Sequence, residues 1–316
     1  MDRLTPLRLC VLINAGGGSV LAQDPQPALR ESFARHGLEA HIQMLPGSEL
    51  EQAARAALEE TGPGRRYDAV VAGGGDGTIG LVAGIMAGTG RAFGVLPLGT
   101  LNHFARDLGL PTDIDGAVQV IAARQLQSVD VAEVNGRVFV NNSSIGLYPT
   151  MVVERDRQRR RAGWGKWPAM ALAFCKVVLR YPLRRVRVRA NGWNRRFRTP
   201  LIFIGNNAYE ISLPHPGRRA LLNGGQLSLF ILRSRRPWGL ARLALRAITG
   251  QLRLERDFES HMVTEAEITS RSAWMRVSVD GEVAPMRPPL LYRIRPGALR
   301  VFAPLRERVG EDIKSI

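Results

Sequence analysis

Gly73-Gly74-Gly75-Asp76-Gly77-Thr78 is the densest chemically suggestive cluster in this 316-residue chain. It follows the apolar, β-branched run Asp68–Ala72 and precedes a helical pattern reaching about Ala87, so it occupies a strand-to-helix turn. Backbone N–H groups converge at such a turn, at the positive end of the helix dipole, where a phosphate can be held. Glycine lets the phosphate come close, and Asp76 places a carboxylate where Mg²⁺ can bridge to it. The bland alternative is a tight bend, but three glycines followed by Asp-Gly-Thr favour a nucleotide. The segment is not a P-loop, which ends in Gly-Lys-Ser/Thr, and it lacks the GxGxxG spacing. Some twenty residues on, Pro97-Leu98-Gly99-Thr100-Leu101-Asn102 ends another strand, Phe93–Leu96. Strand ends on one edge of a parallel sheet share a crevice, which brings Thr100 and Asn102 toward the same nucleotide.

In the other half of the chain, Asp280-Gly281 follows alternating Val277 and Val279 and reads first as a hairpin turn. Its chemical interest is a further carboxylate beside it, Glu282. Phosphorylating an alcohol requires a group that orients the hydroxyl and takes its proton, and nothing in the glycine cluster does so.

The elements that must position these residues differ between the two halves. From residue 8 to about 130, short strands (Leu9–Ile13, Ala40–Met44, Asp68–Ala72, Phe93–Leu96) alternate with helical stretches (Pro27–His36, Ser48–Glu60, Asp113–Ala123), the last with Asp113 or Asp115 as cap. That pattern implies an α/β domain with a parallel sheet covered by helices. Beyond Ser128 the period becomes two, beginning with a hairpin about Asn135-Gly136. Strands are expected at Val186–Arg189, Thr199–Ile204, Gln226–Leu232, His261–Ile268, Met275–Val279 and Leu290–Ile294, with helical insertions at 151–181 and Trp238–Gln251. The expected organisation is an α/β domain over 1–132, a mainly antiparallel β domain over 133–305, and a tail, 306–316, returning to the first domain.

Gly74–Thr78 and Pro97–Ala105, with Asn14 to Gly18 as a first turn, resemble the diacylglycerol kinase catalytic-domain family, which includes bacterial lipid kinases and sphingosine kinases. The likeness continues through Asp130, Phe139–Gly146 and Val279-Asp280-Gly281-Glu282. The resemblance implies an ATP-binding domain of NAD kinase/phosphofructokinase type followed by a β-sandwich, with a lipid hydroxyl presented between them. It assigns Asn14, Gly74, Gly75, Asp76, Gly77, Thr78, Thr100 and Asn102 to the nucleotide. Glu282 becomes the base, and Asp76, Asp130 and Asp280 the carboxylates around Mg²⁺. Two departures stand out: His103 replaces the family's Asp after Asn102, and Leu222-Asn223-Gly224-Gly225 lacks the Asp that supplies an accessory Mg²⁺ site in some members. A soluble-substrate enzyme resembling NAD kinases, or a degenerate lipid- or nucleic-acid-binding protein, is the alternative.

Composition fits this reading. With 45% hydrophobic residues the chain can form a core, while 44 Lys and Arg against 28 Asp and Glu leave +16. Such a surface attracts phosphate. Fifteen of the basic residues lie between Arg155 and Arg198, opposed by Asp156 alone and interleaved with Trp164 and Trp167. Arginine with tryptophan suits the headgroup region of an anionic leaflet. Nucleic acid is disfavoured, because Tyr and Phe are sparse among these arginines and no DNA-binding motif appears. Two cysteines and five scattered histidines show no disulfide framework or metal spacing. No apolar run reaches the ~18 to 20 residues of a bilayer span. The N-terminal stretch imitates a secretory signal, but Asn14 and Gly16–Gly18 interrupt it, so a cytoplasmic, peripherally membrane-bound enzyme is expected. A homodimer is left open.

Overall fold

The computed structural model describes residues 5–16, 24–147, 149, 183–209, 219, 221–233 and 257–304. Strands and helices alternate first: β1 (Arg8–Asn14), α1 (Gln26–Arg35), β2 (Glu39–Leu45), α2 (Leu50–Glu59), β3 (Ala69–Gly74), α3 (Asp76–Met86), β4 (Ala92–Pro97), α4 (His103–Leu108) and α5 (Ile114–Ala122). β2, β1, β3 and β4 lie side by side and parallel. Alternation along β1 feeds two cores: Leu9, Val11 and Ile13 face Leu29, Phe33 and Ile121 under α1 and α5, whereas Cys10 and Leu12 face Leu50, Ile79 and Val82 under α2 and α3. Covered on both sides, β3 is buried throughout, as a central parallel strand must be. Of the two expected caps for α5, Asp113 is the one used, accepting from the Gly116 N–H at 2.8 Å. Asp115 instead accepts from Ser32 Oγ and Arg35.

The remaining strands are β5 (Leu126–Val134), β6 (Arg137–Phe139), β7 (Asn142–Gly146), β8 (Arg184–Ala190), β9 (Trp193–Thr199), β10 (Leu201–Asn206), β11 (Leu227–Leu232), β12 (Phe258–Val263), β13 (Glu265–Ser270), β14 (Met275–Val279), β15 (Glu282–Met286) and β16 (Leu290–Phe302). Six of them form an antiparallel sheet in the order β12-β11-β10-β7-β14-β15. It packs on the strands around β13 and β16, burying Ile145, Ile202, Leu229 and Val277 against Val188, Ile268 and Tyr292. The second half is therefore a β-sandwich joined to an α/β domain.

Three boundaries differ from the sequence expectation. β16 runs past Ile294 to Phe302, and its Arg300 and Val301 lie parallel to Ala92 and Phe93 of β4. One ten-stranded sheet thus crosses the expected domain limit, because apolar Leu299 and Val301 complete the first core. The run His261–Ile268 breaks at Thr264, where the chain passes from the six-stranded to the ten-stranded sheet. The strand expected over Thr199–Ile204 is two, β9 and β10. The helical insertions at 151–181 and Trp238–Gln251, and the tail 306–316, lie outside the described residues. Among the described residues no helix is long and apolar enough to cross a membrane.

Candidate active site

The glycine turn closes β3 and opens α3, with Gly75 in the cap position, Asp76 first in the helix and no side chain capping it. The first N–H groups of a helix have no acceptor within it, so this turn offers donors to an anion. Neighbouring loops are drawn tightly against the turn. Asn14, at the end of β1, donates its Nδ2 to Thr78 Oγ1 at 3.0 Å. A Cβ on Gly99 would lie 2.5 Å from the Gly75 Cα, so the β4 loop touches the turn through backbone alone. Asp76 Oδ1 accepts from the Phe104 N–H at 3.4 Å, joining the turn to α4.

Asn102, expected at the nucleotide, ties together the loop that meets the glycine turn. It is buried in a left-handed conformation (φ 51°), and its amide closes its own loop. Oδ1 accepts from the Gly99 N–H at 3.0 Å, and Nδ2 donates to the carbonyls of Pro97 and Gly99. Its side chain shapes the loop, while Thr100 and His103 are exposed.

The β14–β15 hairpin brings the second half of the site to α3. Val279 pairs with Glu282, leaving Asp280 (φ 46°) and Gly281 (φ 88°) as a two-residue turn, the hairpin expected from sequence. Gly77 and Gly80 on one face of α3 lie against it, and Gly84 on the same face lies against β6. A Cβ on Gly77 would lie 3.3 Å from Glu282 Oε1, one on Gly80 2.7 Å from Asp280 Oδ2, and one on Gly84 3.4 Å from Val138. Glu282 is thereby set beside the turn that carries Asp76. Its Oε2 accepts from Arg137 Nη2, at the start of β6, at 2.6 Å. A cleft of about 420 Å³ lies here, lined by Gly77, Gly80, Arg137, Asp280, Glu282 and, from α2, Arg55.

The three carboxylates expected around Mg²⁺ do not form one cluster. Asp280 turns its carboxyl inward, accepting from the N–H groups of Val140, Asn141 and Asn142 at 2.9 to 3.0 Å. Burial pushes this carboxyl up to about 6, against the pull of those donors and of the Arg219 guanidinium. Asp130 does not line the cleft: its oxygens accept from Gly225 and Gly297, strapping the 222–225 loop to the irregularity in β16. Both side chains are engaged by backbone donors, which holds them apart from each other. Among the described residues no three metal-binding side chains cluster. The donors present fit an Mg²⁺ ion shared between Asp76 and nucleotide phosphates, not a cage of protein carboxylates. In the 222–225 loop, Gly224 lies against Asn207, whose Oδ1 its Cβ would approach to 3.0 Å.

Sequence reasoning missed Arg137, the Gly77/Gly80/Gly84 face, and a buried ion pair between the domains. The glycine face was legible as an i, i+3, i+7 spacing. In the ion pair, Arg219 Nε donates to Asp107 Oδ2 at 2.7 Å while its other nitrogens reach Val140 O, Asn206 O and Asn141 Oδ1. Nothing in sequence joins positions 107 and 219.

The fold thus sets a glycine-rich strand-to-helix turn opposite a carboxylate hairpin of the β-sandwich, an arrangement shared with solved structures of the same two-part architecture. Residues 8–134 match the model of the diacylglycerol kinase catalytic domain. Over 235 residues the chain is 28% identical to "Probable lipid kinase YegS-like" of Enterobacter sp. (strain 638), spanning 72% of this chain and 75% of that one. It is 34% identical over 143 residues to a diacylglycerol kinase of Staphylococcus saprophyticus, 44% of this chain and 45% of the other. A crystal structure of a diacylglycerol kinase from Bacillus anthracis superimposes with a TM-score of 0.68 at 18% identity, covering 96% and 98% of the two chains. Yeast NADH kinase shares the fold more distantly, with a TM-score of 0.51 at 13% identity over 95% and 84%. The likeness to the diacylglycerol kinase catalytic domain is carried by residues 8–134 and extends, in relatives named as lipid kinases, over 72% of the chain.

Proposed function

We propose that the chain is a lipid kinase that moves the γ-phosphoryl group of ATP to a hydroxyl of a membrane lipid, diacylglycerol or a relative. The observation that carries this reading is the approach of Glu282 to Gly77, which sets an exposed carboxylate beside a glycine turn suited to phosphate. In the proposed reaction the acceptor oxygen bonds to the γ-phosphorus and its proton passes to Glu282. The bond to the bridging oxygen breaks, and ADP leaves. A positioned base of this kind contributes about 10² to 10⁴ in rate. Gly74, Gly75, Gly77 and Thr78 offer the phosphates backbone donors, with Asn14 fixing Thr78 and Thr100 exposed on the neighbouring loop. Mg²⁺, when bound through Asp76, neutralises phosphate charge. Asp280 is a positioning residue that ties the hairpin to the β6–β7 connection. The stretch 155–198 is assigned to an anionic membrane surface; its Trp164 and Trp167 lie outside the described residues.

Among the kinase readings, a lipid acceptor is favoured over NAD because the relatives similar in sequence are named as lipid or diacylglycerol kinases, whereas the likeness to NADH kinase is one of fold. The test is transfer of label from γ-labelled ATP to a lipid panel in mixed vesicles, with NAD in parallel. A labelled lipid that disappears in Asp76→Asn and Glu282→Gln supports the reading. Label on NAD alone, or undiminished turnover in Glu282→Gln, overturns it.

A further inference from the structure

The outer face of β8, β9 and β13 carries charge that folding does not require. Arg185 stands directly opposite Arg198, and Arg187 opposite Arg196. Like charges opposed across a strand pair cost stability. Nearby arginines show the ordinary arrangement: Arg189 pairs with Glu267 of β13 at 3.5 Å, and Arg195, on the opposite face of β9, pairs with Glu259. One step farther along β13, the residue beside Arg187 is Thr269. Arg271 then adds another cation. Among the described residues no carboxylate lies within ion-pair distance of Arg185, Arg187, Arg196, Arg198 or Arg271. These five side chains line one cavity of about 510 Å³ with Thr269 and Ser270.

Place supports purpose here. Gly136 lines both the catalytic cleft and an adjoining hollow of about 670 Å³ that reaches Arg189 and Asn194, so the face runs from the cleft toward the arginines. Trp274, half exposed, ends the loop that begins at Arg271. Tryptophan favours the headgroup boundary, and arginine forms forked hydrogen bonds with phosphate.

We infer that this face is a docking surface for the phosphodiester headgroups of an anionic phospholipid leaflet, separate from the acceptor site, and that leaflet charge thereby regulates how long the enzyme stays at its substrate. The choice of a bilayer over a nucleic acid rests on the lipid-kinase reading; the uncompensated arginines do not.

The experiment is sedimentation of the full chain with vesicles of phosphatidylcholine, alone or mixed with phosphatidylglycerol. Arg187→Gln/Arg196→Gln and Arg185→Gln/Arg198→Gln are compared with a charge-matched control, Arg30→Gln/Arg65→Gln. Each arginine pair removed should weaken binding to anionic vesicles about 30-fold. The control should bind as the parent chain does, and turnover of a short-chain, water-soluble diacylglycerol should be unchanged in all. Melting temperatures of the two pair variants should equal or exceed the parent's, since a repulsion is removed. Vesicle binding equal to the parent's in both pair variants overturns the inference, as does tighter retention on single-stranded RNA than on anionic vesicles. If no acceptor is turned over but vesicle binding still depends on the pairs, the kinase reading fails and the docking surface stands.

Discussion

Arg137 Nη2 donates to Glu282 Oε2 at 2.6 Å across the mouth of the cleft, so the first residue of β6 holds the first residue of β15 over the opening turn of α3. With Arg137 37% and Glu282 62% exposed, the pair contributes at most about 1 kcal/mol to stability. Its consequence should therefore appear in rate. Arg137→Ala is expected to lower kcat about tenfold, well short of the 10² to 10⁴ lost on removing a base outright, while Arg137→Lys recovers part of it. Initial rates beside thermal melts check this; a shifted melting temperature with unchanged kcat would contradict it.

Gly80 and Gly84 lie one helical turn apart on α3 and should respond oppositely to alanine. The new Cβ at Gly80 would stand 2.7 Å from Asp280 Oδ2, on a carboxyl fixed by three backbone donors that cannot readily yield. At Gly84 the Cβ would meet Val138 at an ordinary 3.4 Å, and alanine gains about 1 kcal/mol of helix propensity. Gly80→Ala should lose roughly 1 to 3 kcal/mol, the usual cost of overpacking, and Gly84→Ala should be neutral or stabilising. Urea unfolding of the two variants measures the contrast.

Asp280 gives stability a pH dependence of definite sign. Its carboxyl is raised by burial from 3.8 to about 6, so the folded chain holds this proton where the unfolded chain has released it. The stabilisation is complete below pH 4 and is lost as pH rises toward 6, by a few kcal/mol at most. Asp280→Asn should lack this part of the slope. Unfolding free energies measured across that window in parent and variant decide the matter.

Arg219 and Asp107 form an ion pair with both side chains almost wholly enclosed. Truncating Arg219 to Ala withdraws the guanidinium from Asp107 and from two carbonyls, at Val140 and Asn206, and should cost about 3 to 5 kcal/mol. Asp107→Asn, which keeps an acceptor in place, should cost less. Denaturant midpoints of the two variants rank them.

Much of the site was legible because its parts are local. A buried strand followed by glycines and a helical period specifies the β3–α3 turn, and Asp280-Gly281 between alternating valines specifies a two-residue hairpin. Both depend only on backbone conformation and the faces that neighbouring residues must bury. The parallel sheet of the first half and the sandwich of the second follow from the change in hydrophobic period near Ser128. Side-chain partners over long separations are another matter. That Glu282 meets Gly77, that Asp280 and Asp130 turn to backbone N–H groups instead of sharing a cleft, and that Asn102 closes its own loop depend on which donors the folded chain brings within 3 Å. The same holds for β16: a strand long enough to serve the sandwich and then lie beside β4 makes two expected domains share one sheet. Local order was thus set by periodicity and turn chemistry, whereas the identity of each carboxylate's partner was decided by packing, because a charge excluded from water must take whatever donor the fold presents.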